Sequence, residues 1–283
     1  PVTTPSGPRV LQVMAGAREG GAEEFFERLV AALDRAGITQ RAVIRRDARR
    51  TLRLRGLGIE TAELAFGGLL DLTTGPALAR EIEQFRPQLL LSWMSRATRF
   101  CPNGDFVNVA RLGGYYDLKY YRRADHLIAN TPAILDYLLS KGWPAAGADY
   151  LPNFVDGTRA PPLARADFKT PASAPLVLAL GRLHTRKAFD ILLQALAEMP
   201  DVHLWLAGEG PEKRALKRLA ERLGIADRVR FLGWRRDVPA LLATADLLVC
   251  PSRHEPLGNV VIEAWAHGVP VVAAASDGPR ALI

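Results

Sequence analysis

Short branched apolar runs alternate with longer amphipathic stretches along most of the chain, and this alternation restricts the fold more than any other feature. Val10–Met14 is too short for a helix, is followed by Gly16, Gly20 and Gly21, and reads as a buried strand. After it, Phe25, Phe26, Leu29 and Leu33 recur at helical spacing until Gly37. Residues 41–44, 88–92, 106–109 and 126–129 read as further strands, and 132–141 as a helix stopped by Gly142. The pattern dissolves between Gly157 and Pro175, where Pro161, Pro162 and Pro171 break a polar stretch. It restarts with strand-like runs at 176–180, 202–207, 229–232, 247–250 and 269–273, separated by helical stretches near 189–198, 212–223, 238–244 and 259–267. Strands alternating with helices build parallel sheets covered on both faces. The expected fold class is α/β, with two doubly wound, Rossmann-like domains: residues 1–156, a linker over 157–175, and residues 176–283. Such sheets bind ligands outside the carboxyl ends of their strands, so the two halves are expected to face a cleft. Ala281-Leu282-Ile283 reads as the start of another helix, so the C-terminal domain is expected to be incomplete at this end.

Composition narrows the function classes. With 48% hydrophobic and 24% charged residues among 283, the chain is globular rather than disordered or fibrous. Cys101 and Cys250 suit neither a disulfide scaffold nor a zinc site and read as thiols of a reducing compartment. No apolar stretch reaches the roughly 18 residues of a membrane span, and residues 1–8 hold no signal-peptide core. A soluble cytoplasmic protein is expected. Its net charge of +7 points to an anionic partner.

Four motifs sit where strands should end. Gly181-Arg182-Leu183-His184-Thr185-Arg186-Lys187 places two cations five residues apart on a strand-to-helix loop, suited to a diphosphate; taken alone it is as readily a solvated basic turn. In Ala207-Gly208-Glu209-Gly210-Pro211 the glycines allow backbone to approach a planar ligand such as a nucleobase, although Gly-Pro turns before helices are common. Glu255-Pro256-Leu257-Gly258-Asn259 leads into a helix carrying Glu263, with free N–H groups at its start for an anion. For an arbitrary glutamate pair, two exposed acids on a capped helix is the default. Gly20-Gly21-Ala22-Glu23 opens the first helix, and its surroundings do not fit the G-x-G-x-x-G of a nicotinamide enzyme.

Taken in order, these motifs resemble the retaining glycosyltransferases of the GT-B fold that carry an E-x7-E pair, known as glycosyl transferases group 1. The resemblance covers residues 178–283, through the basic loop, Gly208–Pro211, Arg230-Phe231-Leu232-Gly233, Ala245-Asp246, the two glutamates and His267-Gly268-Val269-Pro270-Val271-Val272. It is looser in the first half, through Gly20–Glu23 and Leu151-Pro152-Asn153-Phe154-Val155-Asp156. It implies transfer of a sugar from a nucleotide-diphosphate donor, UDP- or GDP-linked, with no other cofactor and no metal. By matching position, Arg182 and Lys187 would neutralise the leaving diphosphate. Glu255 would hold the donor sugar with the backbone at Leu257, Gly258 and Asn259, and Glu263 the ribose. The base would lie by Gly208, Gly210 and the loop holding Arg235, and Gly21 would let the first loop approach the phosphates. Arg182, Lys187 and Glu255 are the expected catalytic residues. The chain departs from the family in having Ala188 where glycine is frequent, and in lacking a histidine within 92–96. His126 reads as a packed or hinge residue, and no general base is assigned.

The acceptor side is less defined. Seven arginines between Arg41 and Arg55 suit either a solvated face or an anionic membrane or phosphorylated acceptor. Tyr115, Tyr116 and Lys119, in a tyrosine-rich stretch, and Arg96 are the acceptor-side candidates, although the stretch suits a half-buried helix edge equally. With residues 93–97 they are similar to bacterial transferases of lipopolysaccharide-core or other envelope glycans, which implies a glycan or glycolipid acceptor and peripheral contact with the inner face of the cytoplasmic membrane. The alternatives are a nucleotide-sugar 2-epimerase of the same fold and a non-catalytic nucleotide-binding relic. No nucleic-acid motif is present.

Overall fold

The protein is described by a computed structural model covering residues 7–68 and 70–283. Residues 1–6, part of the stretch read for a signal peptide, lie outside the described residues. The chain divides after Asn153 into two units.

In unit 1, β1 (Val10–Met14) is buried along its whole length, as a central parallel strand requires. After it come α1 (Gly21–Arg35), β2 (Gln40–Arg45), α2 (Ala48–Gly56), β3 (Glu60–Leu64), α3 (Thr74–Phe85), β4 (Leu89–Trp93) and α4 (Met94–Thr98). The unit continues through β5 (Val107–Leu112), β6 (His126–Ala129), α5 (Pro132–Ser140) and β7 (Ala148–Tyr150). The sheet is parallel, in the order β3-β2-β1-β4-β5-β6-β7. One face packs Met14, Phe26, Val30, Ile44 and Leu54 around Trp93; the other packs Leu11, Val13, Val43, Leu78 and Leu90. The ring of Phe26 meets that of Trp93 edge-on at 5.3 Å. The buried amide of Gln12 donates to Gln40 Oε1 and accepts from Trp93 Nε1, so this polar group inside the sheet is paired.

Unit 2 runs β8 (Leu176–Leu180), α6 (Phe189–Ala197), β9 (His203–Ala207), α7 (Lys213–Arg222), β10 (Val229–Gly233) and α8 (Val238–Thr244). It ends with β11 (Leu247–Cys250), α9 (Asn259–Ala266), β12 (Val271–Ala273) and α10 (Asp277–Leu282). Its parallel sheet has the order β10-β9-β8-β11-β12.

The stretch 157–175, expected to be a linker, belongs to unit 2. Its proline-rich composition hides two apolar anchors, Leu163 and Phe168, which pack on the core. The Phe168 ring lies 4.6 Å from that of Trp205. Arg165 Nη2 donates to Thr244 O at 2.8 Å and to Asp246 Oδ1 at 2.9 Å. Among the described residues no helix is long and apolar enough to cross a membrane.

Candidate functional site

In sheet 2 the chain leaves β8 toward β9 and β10 on one side, whereas β11 leads to β12 on the other. Neighbouring strands whose connections diverge leave a crevice at their carboxyl ends, and the loops after β8 and β11 border it. These loops are stitched together: Arg253 N donates to Arg186 O at 2.9 Å. Lys187 Nζ, in the loop after β8, forms an ion pair with Glu255, in the loop after β11. The side chains are 24% and 13% exposed, so the pair is partly shielded from water yet reachable. Ser252 Oγ donates to the same carboxylate oxygen at 3.3 Å. Arg182 is exposed and forms no hydrogen bond or ion pair among the described residues.

Ala188, where the family favours glycine, has φ 52°, the left-handed conformation that glycine adopts without strain. The departure therefore keeps the loop's shape at a local cost.

Beyond Glu255 the backbone is held from α10. Gly278 N donates to Glu255 O at 2.7 Å, and a Cβ at Gly278 would run into the Leu257 carbonyl. Gly258, with φ 87°, turns the chain into α9, so Asn259 opens that helix and Glu263 sits buried in its second turn. Lys187, Arg182 and a helix N-terminus thus gather positive potential around one carboxylate, an arrangement suited to an anion that carries hydroxyl groups.

The glycines after β9 have a reason other than the one read from sequence. A Cβ on Gly208 would collide with Gly181 O, and one on Gly210 with Leu183 O. It is the neighbouring β8 loop that comes close, joined by Leu183 N donating to Glu209 O at 2.9 Å. Arg235 is bonded through both Nε and Nη2 to Asp237 and lies 5.5 Å over the Phe168 ring. That carboxylate holds its guanidinium above the usual range. Beside it the buried Trp234 Nε1 has no hydrogen-bond partner among the described residues, a feature the sequence did not signal.

In unit 1, Gly21 begins α1. Glu23, which carried no assigned role, is buried, and its Oε1 accepts from Ala17 N at 2.7 Å. A Cβ at Gly16 or Gly20 would strike this carboxylate. The signal was present: Glu23 is the third helical residue, from which an acid reaches back over the helix start. Arg96 is exposed on α4 and unpaired among the described residues. Tyr115 is exposed, with its ring edge-on to Tyr137 at 5.4 Å. Tyr116 is half-buried, its phenol pushed up by burial, and its carbonyl accepts from Tyr137 OH at 3.0 Å. Lys119 is engaged by Asp117 at 2.8 Å.

The arginine run divides. Arg41 pairs with Glu60 and Glu81, Arg50 and Arg53 with Glu27, and Arg55 donates to Thr61 O. Arg45, Arg46 and Arg49 remain exposed and unpaired among the described residues. His126 Nε2 lies 2.9 Å from Asp149 Oδ2, joining β6 to β7. Arg111 was not singled out: it is buried, donates to Leu151 O and Asn153 Oδ1, both at 2.8 Å, and lies 4.8 Å over the Phe25 ring. Burial pulls its pKa down to about 10. Among the described residues no three His, Cys, Asp or Glu side chains are gathered for a metal ion.

The family model for glycosyl transferases group 1 matches residues 174–283. The lipopolysaccharide core biosynthesis glycosyltransferase LpsE of Rhizobium meliloti (strain 1021) is 40% identical over 272 residues, 93% of this chain and 78% of that protein. LpsD of the same organism, bearing the same description, is 38% identical over 275 residues, 96% of this chain and 79% of that protein. Among solved structures, Anabaena HepE in complex with UDP-glucose matches at a TM-score of 0.82 and 25% identity, covering 98% of this chain and 83% of that one. WaaG, a glycosyltransferase involved in lipopolysaccharide biosynthesis, shares the fold at a TM-score of 0.72 and 20% identity, covering 97% of this chain and 83% of that one. With two such relatives spanned over most of their length, the chain belongs to the glycosyl transferases group 1 family and is a glycosyltransferase of the GT-B fold.

Proposed function

We propose that this glycosyltransferase moves a sugar from a UDP- or GDP-linked donor to a lipopolysaccharide-core or other envelope glycan, retaining the anomeric configuration and using no metal. The observation that carries the donor reading is the Lys187–Glu255 pair at the carboxyl ends of β8 and β11, beside the Gly258 turn into α9. A nucleotide sugar brings what this arrangement lacks: a diphosphate for Lys187 and Arg182, and sugar hydroxyls for Glu255 with the backbone at Leu257, Gly258 and Asn259. Glu263 takes the ribose, and the base lies by Gly208, Gly210 and the loop of Arg235. Two cations and a helix terminus aimed at the departing diphosphate stabilise the charge that develops as the glycosidic bond breaks, and they stand in for a metal. Retention follows from the E-x7-E pair, Glu255 and Glu263. The loop holding Gly21 approaches the phosphates, and Arg96, Tyr115, Tyr116 and Lys119 serve the acceptor.

The acceptor class is supported by LpsE and LpsD, both described as lipopolysaccharide core biosynthesis enzymes. HepE, solved with UDP and with UDP-glucose, favours a uridine donor. The exposed Arg45, Arg46 and Arg49 support peripheral contact with the anionic inner face of the cytoplasmic membrane. Thermal unfolding with UDP, GDP, ADP and CMP, each with and without magnesium, tests the donor reading. A nucleotide at 100 times its Kd adds about 2.7 kcal/mol, a rise of roughly 5–10 °C. The expected result is a shift from UDP or GDP that magnesium does not alter; no shift from either would reject the donor site.

A further inference from the structure

Arg50 is 1% exposed and comes from the first turn of α2, yet its side chain reaches beyond its own helix to the loop after β1. Nη2 donates to Ala17 O at 3.1 Å and to Arg18 O at 3.0 Å. Its charge is balanced by Glu27 on α1, where Nε meets Oε1 at 3.1 Å, and by Asp47, whose Oδ2 lies 3.3 Å from Nη1. Arg53 also bonds Glu27, at 2.6 and 2.5 Å, which fixes the carboxylate that fixes Arg50. On the other side of the same peptide, Glu23 takes the Ala17 N–H at 2.7 Å. The loop is therefore gripped at one N–H from α1 and at two carbonyls from α2.

Two neutralised charges inside one hydrogen-bonded cluster are costly to assemble, and hydrophobic residues of similar size would pack such a position at least as well. What a forked guanidinium adds is geometry, because it holds two carbonyl oxygens at fixed directions with one planar group. We propose that Arg50 is a positioning residue for sugar transfer, setting residues 16–21 where they meet the donor diphosphate. The inference rests on the proposed function for that meeting, while the grip on the loop stands independently. Arg50 touches no substrate; it acts through Ala17 and Arg18.

The test uses the full chain with Arg50→Lys, Arg50→Met and Glu23→Gln. Lysine keeps the charge for Glu27 and Asp47 but cannot hold two carbonyls as a fork. The first readout is tryptic cleavage after the exposed Arg18, followed under native conditions. Wild type is expected to be protected, with cleavage rising about tenfold or more in Arg50→Met and less in Arg50→Lys. The second is UDP release from UDP-glucose, with water as acceptor. There kcat is expected to fall about 10–100-fold while the Kd for UDP changes less than about threefold, since unit 2 holds the nucleotide. Unchanged cleavage in folded Arg50→Met would overturn the grip. Faster cleavage with unchanged kcat would overturn the positioning role. Should both Arg50 variants fail to fold, Glu23→Gln loosens the same peptide from its N–H side, and unchanged cleavage and kcat there would overturn the proposal equally. If wild type neither binds UDP nor GDP nor turns over, the donor reading fails, and the catalytic part of this inference with it.

Discussion

At the scale of single residues, the unliganded enzyme keeps its central cation and carboxylate bonded to each other. Lys187 and Glu255 must exchange partners when a donor enters, so their substitutions should act in opposite directions on the bare nucleotide. Lys187→Ala is expected to weaken UDP binding by roughly tenfold or more, the worth of a charge-assisted hydrogen bond. Glu255→Gln should tighten UDP several-fold by freeing the ammonium, while lowering turnover of UDP-glucose about a hundredfold. Titration calorimetry reads both, and weaker UDP binding by Glu255→Gln would show that the carboxylate does not compete. Ala188→Gly should raise stability by about 1 kcal/mol, since the left-handed backbone strains alanine; a lower thermal midpoint would contradict this. The residue types of this loop were legible because spacing and strand-end position both survive in one dimension. What was not legible is which atoms approach which. Gly208 and Gly210 admit the backbone of the β8 loop, and Arg50 is buried within a run that charge counting reads as a solvated face.

Elements were readable where a sheet's centre imposes branched apolar runs. β1, β6, β8 and β11 occupy the spans their sequences suggest. The edge strand β3, Glu-Thr-Ala-Glu-Leu, carries no such run, because one side of it meets solvent and charge. α2 has arginine on most faces, and its buried face is recognisable only through the carboxylates it meets. β9 carries a pH dependence at its first residue. The His203 imidazole is held below its usual range by burial, and then by Arg230 and Arg228, so folding favours the neutral ring. A group depressed in this way contributes stability that is present above its unfolded value, 6.5, and is lost as pH falls from there toward the folded value. Urea midpoints should therefore drop between pH 7 and 5, and His203→Gln should flatten that slope; an unchanged slope would remove the histidine as its source.

Over the whole molecule, two parallel sheets were evident from the alternation, whereas the division between them was not. Proline and charge marked 157–175 as a spacer, but Leu163, Phe168 and Arg165 bind it to unit 2, and a composition window averages out three anchors in nineteen residues. The charge surplus is likewise smaller in effect than its count. Four of the seven clustered arginines are spent on Glu27, Glu60, Glu81 and a carbonyl, leaving Arg45, Arg46 and Arg49 to face a partner. If that partner is an anionic bilayer, the protein should float with phosphatidylglycerol vesicles and not with phosphatidylcholine. Arg45→Glu, Arg46→Glu and Arg49→Glu together should abolish this, at about 1 kcal/mol per cation; flotation unaffected by the triple change would place the contact elsewhere. The Lys187–Glu255 pair carries a consequence for an enzyme working among abundant inorganic phosphate and nucleotides. An unprotected lysine at a helix start would collect any of these anions. One already occupied by its own glutamate yields to a ligand that supplies a phosphate and hydroxyls together, so the site discriminates against bare phosphates before chemistry begins.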